Sequence, residues 1–336
     1  MFVQTPWQFY TLRVLLGAAE AGFFPGIILY LSYWYPAARR ARITSLFFVA
    51  VPVAGLLGSP LSGWIMHGMA GVAGLKGWQW MFLLEGLPAM VLGVVAYLWL
   101  DDGPATAHWL SPAAREQVAR DLRAGQRPGS DRHGSLRLAF QEPRLLLLGL
   151  VSFCSYVLAN TVAFYSPTII HNAGVSSVLQ VGLLSAVPSA VGIVAMLYWG
   201  RHSDRRAERR WHYALPLFLA AASLAAMKFA QGHPWLAIGL LSVAAAGHFA
   251  SLSVFWAVPP TLLSPRAAAA GIAVISSIGA LGGALGPTVL GYITSMTGSL
   301  DTGLQVVAAI IACGGVLMLW VLRDRARGPT ALASSH

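Results

Sequence analysis

Polar residues along this chain are gathered into short clusters, and between them run long, almost uninterrupted apolar stretches. Nine such stretches lie near residues 8–35, 43–67, 79–100, 144–171, 178–200, 212–231, 235–263, 268–294 and 303–322. A hydrocarbon layer about 30 Å thick is crossed by about 20 apolar residues of helix, so each stretch is long enough. Backbone N–H and C=O groups find no water in lipid, and a helix pairs them internally. The pattern therefore predicts an all-α polytopic membrane protein with nine spans. Most spans are rich in Gly, Ala and Leu, as helices packed on helices in lipid require. Residues 1–7 are too few for a cleaved leader, so the chain is expected to begin almost inside its first membrane helix.

One polar segment is long. In residues 101–143, Ser111-Pro112 reads as a helix cap followed by Pro at the first helical position. Val118 and Leu122 lie four apart among charges, which predicts a short helix lying on the membrane surface. Gly125 to Gly134 reads as a polar linker. The expected organisation is residues 1–100 as three spans of an N-terminal bundle, 101–143 as a central loop, 144–322 as a six-span bundle, and 323–336 as a tail.

Charge then orients the spans. Alternate loops hold 19 of the 22 basic residues: Arg39, Arg40 and Arg42; seven arginines from Arg115 to Arg144; Arg201, Arg205, Arg206, Arg209 and Arg210; Arg266; and Arg323, Arg325 and Arg327. The other loops hold Lys76 alone. By the positive-inside rule the first set is cytoplasmic, with the N-terminus outside and the C-terminus inside. The net charge of +10 is thus a topology signal, and nucleic acid is not an expected partner. The 20 arginines against two lysines point to a GC-rich bacterial genome, hence a multi-pass protein of the inner (plasma) membrane. With 57% hydrophobic and 10% charged residues, against about 25% charged in soluble domains, an ordinary soluble enzyme is excluded. Cys154 and Cys313 sit in apolar runs, which excludes a disulfide scaffold. Gly-x-x-x-x-Gly-Lys, His-Glu-x-x-His and Gly-x-Ser-x-Gly are all missing. Neither an enzyme nor a cofactor or metal site is expected.

An internal repeat suggests what the spans build. Gly55, Gly58, Gly63 and Ile65 recur, with their spacing kept, as Gly283, Gly286, Gly291 and Ile293. Pro36 to Arg39 similarly resembles the stretch beginning Pro265-Arg266. Repeated halves are a transporter architecture. At the offset between the two strings, counterparts of spans four to six would precede residue 1. The expectation is two pseudo-symmetric helix bundles in which the nine spans are equivalent to helices 4–12 of twelve, the opening three being absent.

The run Gly200-Arg201-His202-Ser203-Asp204-Arg205-Arg206-Ala207-Glu208-Arg209-Arg210 resembles the loop motif of the major facilitator superfamily. Within that superfamily, Arg13 through Glu20 to Gly26, Trp78 through Glu85 to Pro88, Phe255-Trp256-Ala-Val-Pro259 and Gly271 through Pro287 look like the anion:cation symporters. These are organic-anion/proton symporters such as tartrate, phthalate and sugar-acid permeases. The resemblance implies a major facilitator fold, alternating access, and a small organic anion with a proton or sodium ion as partners. It also implies that Ser253 and Trp256 lie in the binding cavity. The pattern departs near Ser276 and Ala280, where family members often carry Asn.

A charge at mid-bilayer costs about 2.5–3.5 kcal/mol on insertion scales, so each needs a reason. Arg13 and Glu20 are seven apart, nearly two helical turns, and so share one face. Arg13 is expected to attract a carboxylate through its guanidinium fork. Glu20 is expected to carry the coupling proton, the role the resemblance implies at that spacing. The bland alternative is a structural polar network, or an Arg13 that snorkels outward. Asn160, His248 and Ser276 join Ser253 and Trp256 as candidate substrate contacts, although a buried histidine is often only a satisfied core residue. Gly200, Asp204, Arg205 and Arg209 are candidate gate residues, Asp204 facing the start of the helix near Thr44. A solvated loop acid is the alternative there. The functional reading is a proton-coupled organic-anion symporter, expected to be a monomer. The alternative is a truncated, non-transporting remnant or a solute sensor of the same fold.

Overall fold

The computed structural model describes residues 3–20, 23–124, 143–206, 208–259 and 268–323. Among these described residues eleven α-helices follow in order: α1 (Pro6–Glu20), α2 (Phe23–Trp34), α3 (Ala37–Gly68), α4 (Gly77–Trp99), α5 (Pro112–Ala124), α6 (Pro143–Asn172), α7 (Val178–Arg206), α8 (Arg210–Ala225), α9 (Pro234–Phe255), α10 (Ala268–Thr297) and α11 (Leu300–Val321). Eight helices among the described residues are long and apolar enough to span a membrane, and they correspond to predicted spans two to nine. The first predicted span is seen as α1 and α2, on either side of residues 21 and 22, which lie outside the description.

Several boundaries move for identifiable reasons. The span expected over 235–263 stops at Phe255, and Trp256 closes it. Pro259 and Pro260 follow, and neither has an N–H to continue the ladder. At the other end of α9, Gly232 takes a φ of 71°, a left-handed value open to glycine. Pro234 then opens the helix, where its missing N–H costs nothing. In turn α7 outruns its apolar stretch and carries the arginine-rich motif on its last turns.

The chain divides into two compact units, Met1–Ala50 with Ile65–Ser130, and Val51–Trp64 with Asp131–His336. In the first, the predicted surface helix is α5. The Ser111 hydroxyl accepts the N–H of Ala114 at 3.2 Å, a side-chain cap on its first turn. The loop before it is pinned by aromatic groups. Trp109 stacks on Trp34 at 5.7 Å and donates its indole N–H to Asp101 at 3.0 Å. Tyr30 donates to the Asp101 carbonyl at 3.2 Å. By contrast, α1 buries none of its residues, and α4 only Gly77.

The second unit holds the larger core, built from α6 to α11 around Leu145, Leu158, Tyr213, Leu241, Ile275 and Leu304, all fully buried. Its tightest seam is α6 against α10. A Cβ on Gly282 would lie 2.3 Å from the Phe153 carbonyl oxygen, and one on Gly279 would lie 2.4 Å from Ser152 Oγ. Both repeated strings serve the same end. Gly283 and Gly286 face Asn160 and Val157 of α6, while Gly55 and Gly63 of the α3 segment face Ser189 and Gly182 of α7. Small residues let these helix backbones come close enough for dispersion to hold them without a hydrophobic drive.

Candidate functional site

The first unit supplies the two ionic residues. Arg13 and Glu20 are both exposed along α1. Their separation of nearly two turns puts them roughly 10 Å apart along the helix axis. The Arg13 guanidinium sits 5.2 Å from the centre of the Phe9 ring, one turn back. A ring face attracts a cation without neutralising it, so the guanidinium donors stay available to an anion.

The second unit supplies the neutral candidates, but on different helix pairs. Asn160 is half-buried on α6 and donates Nδ2–H to the Tyr156 carbonyl at 3.0 Å. Its amide nitrogen faces Gly283 across the α6–α10 seam, leaving the side-chain carbonyl as an acceptor. Ser276, also half-buried, lies on the same side of α10 two turns earlier. Close by, Tyr165 donates to the Pro287 carbonyl at 3.1 Å, which ties α6 to α10 one level further along.

His248, Ser253 and Trp256 all belong to the α9 region, which packs on α7 and α8. His248 is buried, and among the described residues its Nδ1 has no hydrogen-bond partner. Ser253 donates to its own helix at Ala250 (2.7 Å), and a Cβ on Gly200 would meet its Oγ at 3.3 Å. Gly200 is thus where α7 comes close to α9. Trp256 meets Phe255 edge-on at 5.2 Å, and Phe255 leans on Tyr213 of α8 at 5.8 Å. These contacts join the end of α9 to α8. Two buried hydroxyls on α6, Ser152 and Thr161, also lack partners among the described residues, and nothing in the sequence pattern marks them. Small hydroxyl residues are too common in membrane helices to stand out there.

The loop motif folds back on itself. Asp204 pairs with Arg209 at 2.6 Å. Ser203, fully buried, donates to the Glu208 carbonyl at 2.7 Å and accepts from Arg209 at 3.2 Å. Arg205 is exposed beside them. The expected partner of Asp204 near Thr44 lies outside the residues whose side chains are described. Partial burial pushes the Glu208 carboxyl up. Hydrogen bonds from the His212 ring and from the N–H groups of Trp211 and His212 outweigh this and hold it below the ordinary carboxylate range, because they favour the charged form. At the opposite end of this unit, a cavity of about 280 Å³ opens between Asn172, Gln231, Ser299 and Asp301, and none of the predicted residues lines it.

Comparison with known proteins places this arrangement. The chain is 43% identical over its whole length to a "Putative tartrate transporter" of Agrobacterium vitis, of which it covers 74%. It is 35% identical to the "Inner membrane transport protein RhmT" of Escherichia coli K12, over 99% of this chain and 76% of that one. A bacterial homologue of the human lysosomal transporter Spinster, solved inward-facing and unoccupied, shares the fold with TM-score 0.66 at 18% identity. That likeness covers 93% of this chain and 77% of the other. The xylose transporter XylE of Escherichia coli, partially occluded and inward-open, aligns with TM-score 0.57 at 18% identity, covering 92% and 68%. These relatives are transporters, not enzymes, and the Major Facilitator Superfamily model matches residues 1–287, so the chain is a multi-pass membrane transporter belonging to the major facilitator superfamily.

Proposed function

We propose that the protein carries small organic anions, carboxylates of the tartrate, sugar-acid or aromatic-acid class, in symport with protons by alternating access. The observation that carries this reading is the pair Arg13 and Glu20 on one face of an otherwise uncharged α1, in a chain similar over its whole length to the Agrobacterium protein. A fixed guanidinium favours a carboxylate by charge and fork geometry. Glu20, the one acid on α1, is the residue this reading assigns to the coupling proton. Within the second unit, Asn160 and Ser276 on the α6–α10 pair and Ser253, Trp256 and His248 in the α9 region are the further substrate contacts this reading assigns. The arginine-rich loops face the cytoplasm, and the membrane is the bacterial inner membrane. In proteoliposomes, labelled tartrate should accumulate when the outside is acidified, and a protonophore should dissipate the gain. Uptake that ignores the proton gradient overturns the coupling.

The Asp204–Arg209 pair serves as a gate clamp in this account. The Asp204 side chain is 66% exposed. Solvent screening therefore limits the pair to about 0–1 kcal/mol of stability. Asp204→Asn should leave the melting temperature near wild type while slowing transport several-fold. Transport at the wild-type rate would reduce Asp204 to a solvated loop acid.

A further inference from the structure

At the turn between α7 and α8, three titratable side chains from 202 to 212 form one hydrogen-bonded chain. His202 Nδ1 lies 2.8 Å from His212 Nε2, and His212 Nδ1 is bonded to the Glu208 carboxylate. That carboxylate also accepts the N–H groups of Trp211 at 2.7 Å and His212 at 3.1 Å, the first turn of α8. The rings are held in place from outside the chain. Tyr198 stacks on His202 at 6.1 Å with 11° between planes, and Trp199 donates its indole N–H to the His212 carbonyl at 2.7 Å. His212 itself is buried.

This geometry limits how many protons the chain accepts. Two ring nitrogens facing this closely share one hydrogen between them. Glu208 places a hydrogen on His212 Nδ1, so His212 Nε2 accepts from His202. One further proton fits, on the outer nitrogen of His202. A second puts a hydrogen on both facing nitrogens, and the contact must break. The remaining charges act in the same direction. Arg206 and Arg205 act on His202 as like charges, and Asp204 is already committed to Arg209. Arg210 is bonded to the Leu319 carbonyl of α11. Of the helices packed on α7 and α8, α9 carries only the buried His248, while α6 and α11 bring Arg144 and Arg323 to this end. Among the described residues of those helices, no acid sits near enough in sequence to offset the second proton.

We propose that His202, His212 and Glu208 form a pH-responsive clasp that ties the end of α7 to the start of α8 and opens when its side of the membrane turns acid. The signs agree. Charging both rings puts a hydrogen on each of the two facing nitrogens, so the contact breaks as its side of the membrane turns acid. Glu208, held low by its hydrogen bonds, stays ionised until the pH is lower still. If proton symport into the cytoplasm holds, an inference that rests on the reading above, the clasp senses the acid that turnover delivers.

Hydrogen–deuterium exchange on the full chain in lipid nanodiscs tests it. Rates at Trp211 and His212 are normalised to intrinsic exchange. Protection should fall at least about tenfold between roughly pH 7.5 and pH 5. His202→Phe keeps a stacked ring but removes the His202–His212 bond at every pH, so its protection should already be low at about pH 7.5 and should not fall further. His202→Asn offers His212 an amide donor or acceptor and no charge, so it should stay protected from about pH 7.5 to about pH 5 and provides a second variant should Phe misfold. Constant wild-type protection, or variants that lose it in step with the wild type, would overturn the clasp. No substrate is involved, so this result and the uptake result fail or stand separately.

Discussion

Glu20→Gln should abolish accumulation of a carboxylate under an imposed proton gradient while leaving exchange of internal for external anion in place. Glutamine keeps the size and hydrogen-bonding capacity of a protonated carboxyl but cannot release or take up a proton. Coupling depends on a difference in binding: the anion and the proton together must favour the reorienting state more than either does alone. A permanently neutral residue at position 20 mimics the loaded state, so the carrier reorients with substrate whatever the pH. A gradient of one pH unit supports about tenfold accumulation per coupled proton, and the variant should settle at equal concentrations on both sides. Glu20→Asp, which still titrates, should retain part of the gradient response. Wild-type accumulation by Glu20→Gln would remove Glu20 from the coupling mechanism.

Gly282→Ala should destabilise the second unit by about 1–3 kcal/mol, the usual range for overpacking. Alanine is the better helix former by about 1 kcal/mol, so the sign depends on space. At Gly282 the added methyl would lie 2.3 Å from a backbone carbonyl oxygen, which cannot rotate away as a side chain can. At Gly239, on the exposed side of α9, it would meet nothing within 4 Å. The matched variant Gly239→Ala should therefore be neutral or slightly stabilising. Thermal unfolding of the two in the same detergent isolates the clash from helix propensity. Equal midpoints would show that α6 and α10 part without cost.

Much of the fold was legible because apolar length and arginine placement are properties of contiguous stretches. Spans two to nine, the α5 cap at Ser111 and the close-packing role of the 279–291 glycines all follow from such local patterns. The candidate site was legible only as residue types. Helical spacing put Arg13 and Glu20 on one face, yet it had no means of assigning Asn160 and Ser276 to the α6–α10 pair and Ser253 to the α7–α9 contact. Nor did it show that Asp204 pairs with Arg209, five residues on. The His202–His212–Glu208 chain was hidden for the same reason. Two histidines ten residues apart become neighbours only because the turn after α7 reverses the chain.

Where this protein crosses lipid is written in the order of its residues, because burying charge and leaving backbone groups unpaired in hydrocarbon are costs each segment meets by itself. Which polar groups meet is a matter of packing. A hydrogen bond or ion pair depends on ångström distances between helices, and those are set by how close the glycine seams allow the backbones to come.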